Sequence, residues 1–258
     1  MKIGCATMIL LRMEISHLEE WLVHLHHHEF EQVWIYYETQ LMDPQFANKP
    51  GDTQWLKKPD NGFHLELTDE QVMAEFERIC KHSPVPVVYR PVTMKQENIG
   101  ARQHSVGNKA HKELKALGYD WMAFLDVDEY LVTSSLKDSL QSVPSYYPEA
   151  RMVQKVFDSR WKKQKPLKVA EISHNYGYLD VASKYFMRPT KVRAFGGIHD
   201  STRHHNGGVW IFDPERLRYH HFRGLPPAGA SHPKLDGIKK YANLRRRTPQ
   251  PADLGHVV

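Results

Sequence analysis

The stretch Trp121-Met122-Ala123-Phe124-Leu125-Asp126-Val127-Asp128-Glu129-Tyr130-Leu131-Val132 decides how this chain is read. Its first five residues are apolar and short enough for a buried strand, and they run straight into three carboxylates. Burying an unpaired carboxylate is very costly, so the acids are expected to leave the sheet edge, into solvent or onto a cation. On extended backbone residues two apart face the same side, so Asp126 and Asp128 are expected to point together. Two like charges on one face repel, and a divalent cation relieves that repulsion. Mg²⁺ or Mn²⁺ selects carboxylate oxygens and fills its remaining positions with phosphate oxygens and water. The pattern therefore predicts a site for a metal-bound diphosphate at the carboxyl end of a strand, where open α/β sheets bind ligands. The competing reading is an acidic strand-to-loop exit with no ligand. The apolar lead-in, the acidic neighbour Glu129 and the preceding helix favour the site.

Working outward, the residues before this stretch alternate strand-like and helix-like segments, the pattern of an α/β sheet. Ile3 to Leu10 reads as a buried strand. Ser16 to His28 reads as a helix, with Ser16 as N-cap and Glu19 in the capping-box position. Gln32 to Tyr37 is a second strand, and the Pro-, Gly-, Asp- and Asn-rich residues 41–61 form an irregular loop. Thr68 caps a helix to about Lys81, with Gln71 completing the box. Val87 to Arg90 is a short strand between two prolines. Ile99 to Leu117 is a long helix closed by Gly118. After about Leu140 the pattern weakens into short strands, aromatics, histidines and Gly-Pro turns. The asymmetry predicts one compact unit with a nucleotide-binding first half, residues 1–132, and an acceptor-side second half, residues 133–223. Residues 224–258 form a C-terminal extension.

A chain of 258 residues buries a full core without staples. Its two cysteines, Cys5 and Cys80, lie in apolar stretches and read as reduced core residues, which suits a cytoplasmic setting. The N-terminal apolar run carries no cleavage-site pattern and passes directly into Arg12 and Glu14, so it reads as a strand rather than a leader. No apolar run reaches the length of a transmembrane span. The net charge of +5 is modest, with part of it in 162–165 and 245–247. It reads as solvated surface or as attraction to an anionic substrate or an anionic membrane face, and no nucleic-acid reader motif accompanies it.

The quoted stretch also carries a resemblance. Phe124-Leu125-Asp126-Val127-Asp128-Glu129-Tyr130-Leu131 resembles the F-[IL]-D-x-D-E-[FY]-L element of the glycosyltransferase family 2-like and family 92 enzymes. Leu18-Glu19-Glu20-Trp21-Leu22 resembles that group's L-x-E-W-[IL], and Val33-Trp34-Ile35-Tyr36 falls at the spacing of its second strand. Ala101-Arg102-Gln103 and Gly107-Asn108 resemble the helix whose polar residues face the donor. Lys184 to Pro189, Gly197-Ile198-His199 and His221-Phe222-Arg223 resemble its K-[FY]-[IF]-x-R-P, G-[VI]-H and late H-Y-R elements. The order and spacing of these matches, from residue 3 to about 223, carry more than any one of them.

The resemblance implies a GT-A fold, a nucleotide-binding α/β sheet flanked by helices with a smaller acceptor-side region. It also implies metal-dependent, inverting transfer from a nucleotide-diphosphate sugar, a UDP-sugar first, to a hydroxyl of a glycan or glycoconjugate. Carried over residue by residue, Asp126, Asp128 and His221 become metal ligands for Mn²⁺ or Mg²⁺. Arg102, Asn108, Asp126 and Lys184 become donor contacts, and Lys184 and Arg188 are read as stabilising phosphate charge. Departures stand beside the matches. Arg12-Met13-Glu14 replaces the usual K-N-E, Leu25 and Glu29 replace a His and a Gly, and Tyr37-Glu38 replaces D-N. Glu38 is then the candidate for the ribose.

An inverting transferase needs a general base, usually a carboxylate; Asp158, Glu171 and Asp180 are candidates that no spacing argument separates. The run His24-Leu25-His26-His27-His28 places His24 and His28 on one helix face, but no Glu completes a zinc motif, and they read as surface histidines. His199 is a candidate for diphosphate or acceptor. Trp161, Tyr176, Tyr178 and Trp210 read as core aromatics before sugar-stacking faces. Two other classes remain in view. The D-x-D also resembles the nucleophile loop of haloacid-dehalogenase phosphatases, although Tyr130 stands where that loop has Thr or Val. A basic module for polyanions is the non-enzymatic alternative, marked by salt-dependent, metal-independent binding.

Overall fold

The structure is a computed structural model that describes residues 1–38, 68–92, 99–157, 175–179, 184–199 and 205–221. Strand β1 (Ile3–Leu10) is buried along almost its whole length, as an apolar strand covered on both faces must be. It pairs in parallel with β2 (Gln32–Glu38) and β4 (Trp121–Phe124), and β2 pairs in parallel with β3 (Val87–Pro91). Beyond β4 lies an antiparallel strand, β9 (Tyr185–Met187), then β6 (Glu149–Arg151) and β10 (Val209–Ile211), giving the order β10-β6-β9-β4-β1-β2-β3. A second sheet, ordered β5-β11-β7-β8, is built from β5 (Glu129–Val132), β11 (Arg218–His221), β7 (Val153–Phe157) and β8 (Asn175–Leu179). The mixed α/β class expected from the sequence is the class observed.

Side-chain alternation along β1 sorts the core into two layers. Ile3, Cys5 and Ile9 face helices α1 (Leu11–His27) and α2 (Asp69–His82), packing with Leu18, Trp21, Leu22, Val72 and Phe76. Ala6 and Met8 face α3 (Ile99–Ala116) on the other side, packing with Val106, Ala110, Leu114 and Phe195. The sheet is thus covered on both faces. Cys5 and Cys80 are free and buried. Among the described residues, no helix is long and apolar enough to cross a membrane.

Local signals explain most helix ends. Thr68 and Gln71 form a complete capping box at α2. At the end of α3, Tyr119 N–H bonds Leu114 O at 3.0 Å and Gly118 N–H bonds Lys115 O at 3.2 Å. This is the paired closure that needs a left-handed residue, and Gly118 supplies it at φ 70°. The start of α1 is a correction. Ser16 is not its N-cap: the helix begins at Leu11 with no linker after β1, and the Glu14 carboxylate accepts the Leu10 N–H at 2.7 Å. A cap supplied from within the first turn lets the helix begin five residues earlier than the Ser16–Glu19 pair indicated. The loop expected over 41–61 lies outside the described residues.

A close approach fixes α3 against the segment after β9. A Cβ on Gly107 would stand 2.3 Å from the Phe195 ring, while the neighbouring Asn108 amide brackets the Phe195 backbone, accepting its N–H at 3.0 Å and donating to its carbonyl at 3.3 Å. Gly107→Ala must displace that ring, and overpacking of this kind costs about 1–3 kcal/mol. Urea denaturation is expected to show that loss, and an unchanged midpoint would mean that Phe195 is free to move.

The histidine run at the end of α1 is not simple surface. His24 and His28 are half-buried, their rings 4.5 Å apart, and His24 lies edge-on to Tyr130 of β5 at 4.9 Å. Burial, reinforced by His28, His27 and His220, pulls His24 down to about 3 from 6.5. A histidine that the fold keeps neutral stabilises fully above its unfolded pKa and loses that stabilisation as pH falls toward the folded value. The melting temperature is therefore expected to fall between pH 7 and pH 5, and His24→Leu is expected to flatten that fall. An identical pH profile in the variant would remove His24 from the account.

Candidate active site

The chain order of the large sheet reverses beside β1. Strands β2 and β3 are laid on one side, and the chain then crosses back to place β4 on the other. Outside the carboxyl ends of the strands at such a reversal lies the crevice where open α/β sheets take ligands. Glu14 enters it from the first turn of α1, Glu38 ends β2, and Asp126 follows β4.

The acids after β4 do not lie on extended backbone. Leu125 N–H still bonds Ala6 O at 3.1 Å, continuing the ladder, and then Glu129 N–H donates to Asp126 O at 3.0 Å and closes a four-residue turn. The expectation that strand alternation aims Asp126 and Asp128 together is thereby corrected: residues 126–129 turn, handing the chain from one sheet to the other, with Asp126 on Lys184 and Asp128 beside His221. Of the two outcomes expected for the acids, solvent or a cation, Glu129 takes the second, inside the protein. Glu129 opens β5 with its side chain fully buried, and its Oε2 accepts the Asp126 N–H at 2.9 Å.

The cation that makes this burial tolerable is Lys184, just before β9. Its side chain has no exposure, and Nζ lies 2.8 Å from Asp126 Oδ2 and 3.0 Å from Glu129 Oε2. Burial alone would lower the Lys184 pKa, but the two carboxylates overcome it and hold the ammonium above its ordinary value. Burial pushes Glu129 up to about 7, with Lys184 pulling it down and Asp126 pushing it up. Its other oxygen, Oε1, is buried and makes no hydrogen bond; His221 Nδ1 stands 3.8 Å away.

His221 arrives through register. β11 runs antiparallel to β5 with His221 opposite Glu129, which carries the imidazole to the turn. Nε2 lies 3.3 Å from Asp128 Oδ2, and Nδ1 lies 3.1 Å from Gln154 Oε1, which also accepts the Tyr219 hydroxyl at 3.1 Å. Asp126, Asp128 and His221 are partly exposed, whereas Glu129 and Lys184 beneath them are not. Glu14 joins from β1: removal from water, opposed by the Leu10 N–H and reinforced by Asp128 and Asp126, holds its carboxyl well above the ordinary range. In the positions they occupy, no three His, Cys, Asp or Glu side chains among the described residues converge as a metal site.

The remaining sequence candidates divide by position. Glu38 and Arg102 are brought together, Oε1 to Nε 2.8 Å, with the arginine almost fully buried. Asn108 spends its amide on Phe195 and on His104 O. Arg188 is a correction to the reading that grouped it with Lys184 at phosphate. Because β9 runs against β4, residues 184 and 188 reach opposite ends of β4. Arg188 stacks on Trp121 at 4.0 Å and donates to Tyr147 O and Val143 O, each at 3.1 Å. Asp158, Glu171 and Asp180 lie outside the described residues, as do the side chains of Trp161, Tyr176 and Tyr178. Sequence reasoning missed Glu14, Gln154 and the inward role of Glu129. The match of Glu14 to the last letter of K-N-E was the available signal for the first; nothing local marks Gln154.

No family model matches this chain, and no curated protein matches it. Solved structures do. S. aureus TarS 1–349 is 12% identical with a TM-score of 0.47, covering 86% of this chain and 60% of that one. This chain therefore spans about three-fifths of that structure's length. HddC from Yersinia pseudotuberculosis, complexed with GMP-PN, is 10% identical with a TM-score of 0.47, covering 95% and 100%. Glucosyl-3-phosphoglycerate synthase from Mycobacterium tuberculosis, in complex with Mn²⁺, UDP and glucosyl-3-phosphoglycerate, is 12% identical with a TM-score of 0.42, covering 97% and 81%.

Removing one partner of a buried ion pair costs about 3–5 kcal/mol, because the other charge stays behind. Lys184→Met is expected to lose that much in urea denaturation in metal-free buffer. Adding Glu129→Gln to it is expected to recover part of the loss. A double variant no more stable than the single would show that Lys184 does not act through Glu129.

Proposed function

We propose that this chain is a metal-dependent glycosyltransferase of the GT-A kind, moving a sugar from a nucleotide-diphosphate sugar to a hydroxyl of a glycan or glycoconjugate. The observation that carries the reading is the acidic turn 126–129 at the reversal of strand order, with His221 3.3 Å from Asp128. The donor types, rather than a preformed cluster, suit a divalent ion: two partly exposed carboxylates, an imidazole beside Asp128, and one buried carboxylate oxygen, Glu129 Oε1, that makes no hydrogen bond. Bound Mn²⁺ or Mg²⁺ would neutralise the diphosphate as it leaves.

In this reading Asp126, Asp128 and His221 hold the ion, with phosphate oxygens and water completing its shell. Lys184 fixes Asp126, the Glu38–Arg102 pair at the end of β2 is assigned to the ribose of the nucleotide, and Asn108 is assigned to the donor side. The base that takes the acceptor proton is assigned among Asp158, Glu171 and Asp180, and inversion by direct displacement follows from the family resemblance. Residues 1–132 serve the donor, 133–223 the acceptor, and 224–258 extend beyond them. Two buried free thiols suit a reducing, cytoplasmic compartment.

The test is a thermal-shift panel of UDP-, GDP-, CMP- and dTDP-sugars, each with and without Mn²⁺. A single nucleotide class, a uridine one first, is expected to raise the melting temperature only with metal, and Asp128→Ala is expected to abolish that rise. A flat panel would sink the donor-site reading and direct attention to phosphatase substrates.

A further inference from the structure

The lysine beneath the acidic turn has a consequence for how that turn takes its ligands. Lys184 stands between the two carboxylates, bound to Asp126 Oδ2 at 2.8 Å and Glu129 Oε2 at 3.0 Å, with no exposed side-chain surface. Its ammonium also lies 6.0 Å over the Phe124 ring, inside the packed end of β4. Reaching water would require that packing to open, so the charge stays in place when a ligand arrives. Glu129 Oε2 is further engaged by the Asp126 N–H at 2.9 Å. One oxygen of each carboxylate is therefore already committed. What the turn can still offer an ion is the second oxygen of Asp126, the buried Glu129 Oε1, and the Asp128 carboxylate together with the His221 Nε2 that lies 3.3 Å from it. A hard divalent ion wants about six oxygens, and here it approaches a ligand that already carries a fixed positive charge.

We infer that Lys184 is a resident counter-cation that holds Asp126 to a single free oxygen, so that a divalent ion binds this turn tightly only together with a nucleoside diphosphate. The inference rests on the donor-site reading proposed above. The diphosphate supplies both what the turn lacks, oxygens for the shell, and what Lys184 offsets, negative charge. Lys184 is in this sense a positioning residue: it acts on the ion through Asp126 and touches neither ion nor sugar.

The test is Mn²⁺ binding, followed by the electron paramagnetic resonance signal of the free ion and by calorimetry, and it needs no turnover. Wild-type protein is titrated with Mn²⁺ alone and then with UDP present, GDP replacing UDP if the latter is silent. Mn²⁺ alone is expected to bind at least about tenfold more weakly than with nucleotide. In Lys184→Met, Mn²⁺ alone is expected to tighten by about tenfold or more, the order set by a unit charge a few ångströms away at intermediate dielectric. The gap between the two conditions is expected to narrow. Equal Mn²⁺ affinity with and without nucleotide in the wild-type protein overturns the inference, and this arm stands even if the variant does not fold. Unchanged Mn²⁺ affinity in a folded Lys184→Met overturns it too and leaves the donor reading intact, whereas equal Mn²⁺ affinity with and without nucleotide also removes the metal dependence of that reading, because coupling between two ligands is reciprocal. Absence of binding by Mn²⁺, UDP and GDP in every combination overturns the donor reading itself, and the inference with it.

Discussion

A lysine with no exposed side chain, set between two carboxylates, is the constraint on which the rest of this site depends. Glu129 begins a strand of the small sheet and Asp126 follows a strand of the large one, so the ammonium of Lys184 fastens the two sheets at the point where the chain passes between them. A pair of this kind adds little net stability over a well-packed apolar substitute. Breaking it is another matter: losing one partner would leave a buried charge alone. The antiparallel strand β9 is what delivers the lysine, and the same antiparallel course carries Arg188 to the opposite end of β4, where it stacks on Trp121.

Above this pair the partly exposed groups are arranged by sheet register rather than by loop contacts. His221 is held opposite Glu129 by the β5–β11 ladder and is oriented through Gln154, which Tyr219 also engages. A satisfied polar network beneath a half-exposed imidazole keeps it from rotating away from Asp128. The large sheet meanwhile contributes Glu14, Glu38 and Asp126 from three neighbouring strand ends. Negative charge thus accumulates at one crevice because parallel strands end there together, not because the acids are adjacent in the chain.

Much of the scaffold could be read from local signals. The continuous apolar run of β1, the Thr68–Gln71 box and the Gly118 closure each depend on residues within a few positions of one another, and each is found where expected. The start of α1 failed because two local signals competed: the Ser16–Glu19 pair looked like a cap, while Glu14 supplied an earlier one. At the site, the acidic run identified where charge collects but misjudged how. The alternation rule assumed extended backbone through a stretch that turns, and nothing local said that the cation Glu129 meets would be a buried lysine. Lys184 was noted, yet its carboxylate partner lies 58 positions away, and no spacing rule spans that distance. The candidate bases lie in segments outside the described residues.

The turn joining the two sheets is pinned at both ends, by Leu125 bonded to Ala6 on one side and by Glu129 set opposite His221 on the other. Strand side chains alternate between faces with a period of two, so the count of residues between these anchors matters as much as their kinds. One residue more or fewer would turn β5 over, presenting Tyr130 to the lysine and Glu129 to the histidine cluster on the opposite face. Variation in this chain is therefore not free to lengthen or shorten this turn. Its length is part of its chemistry.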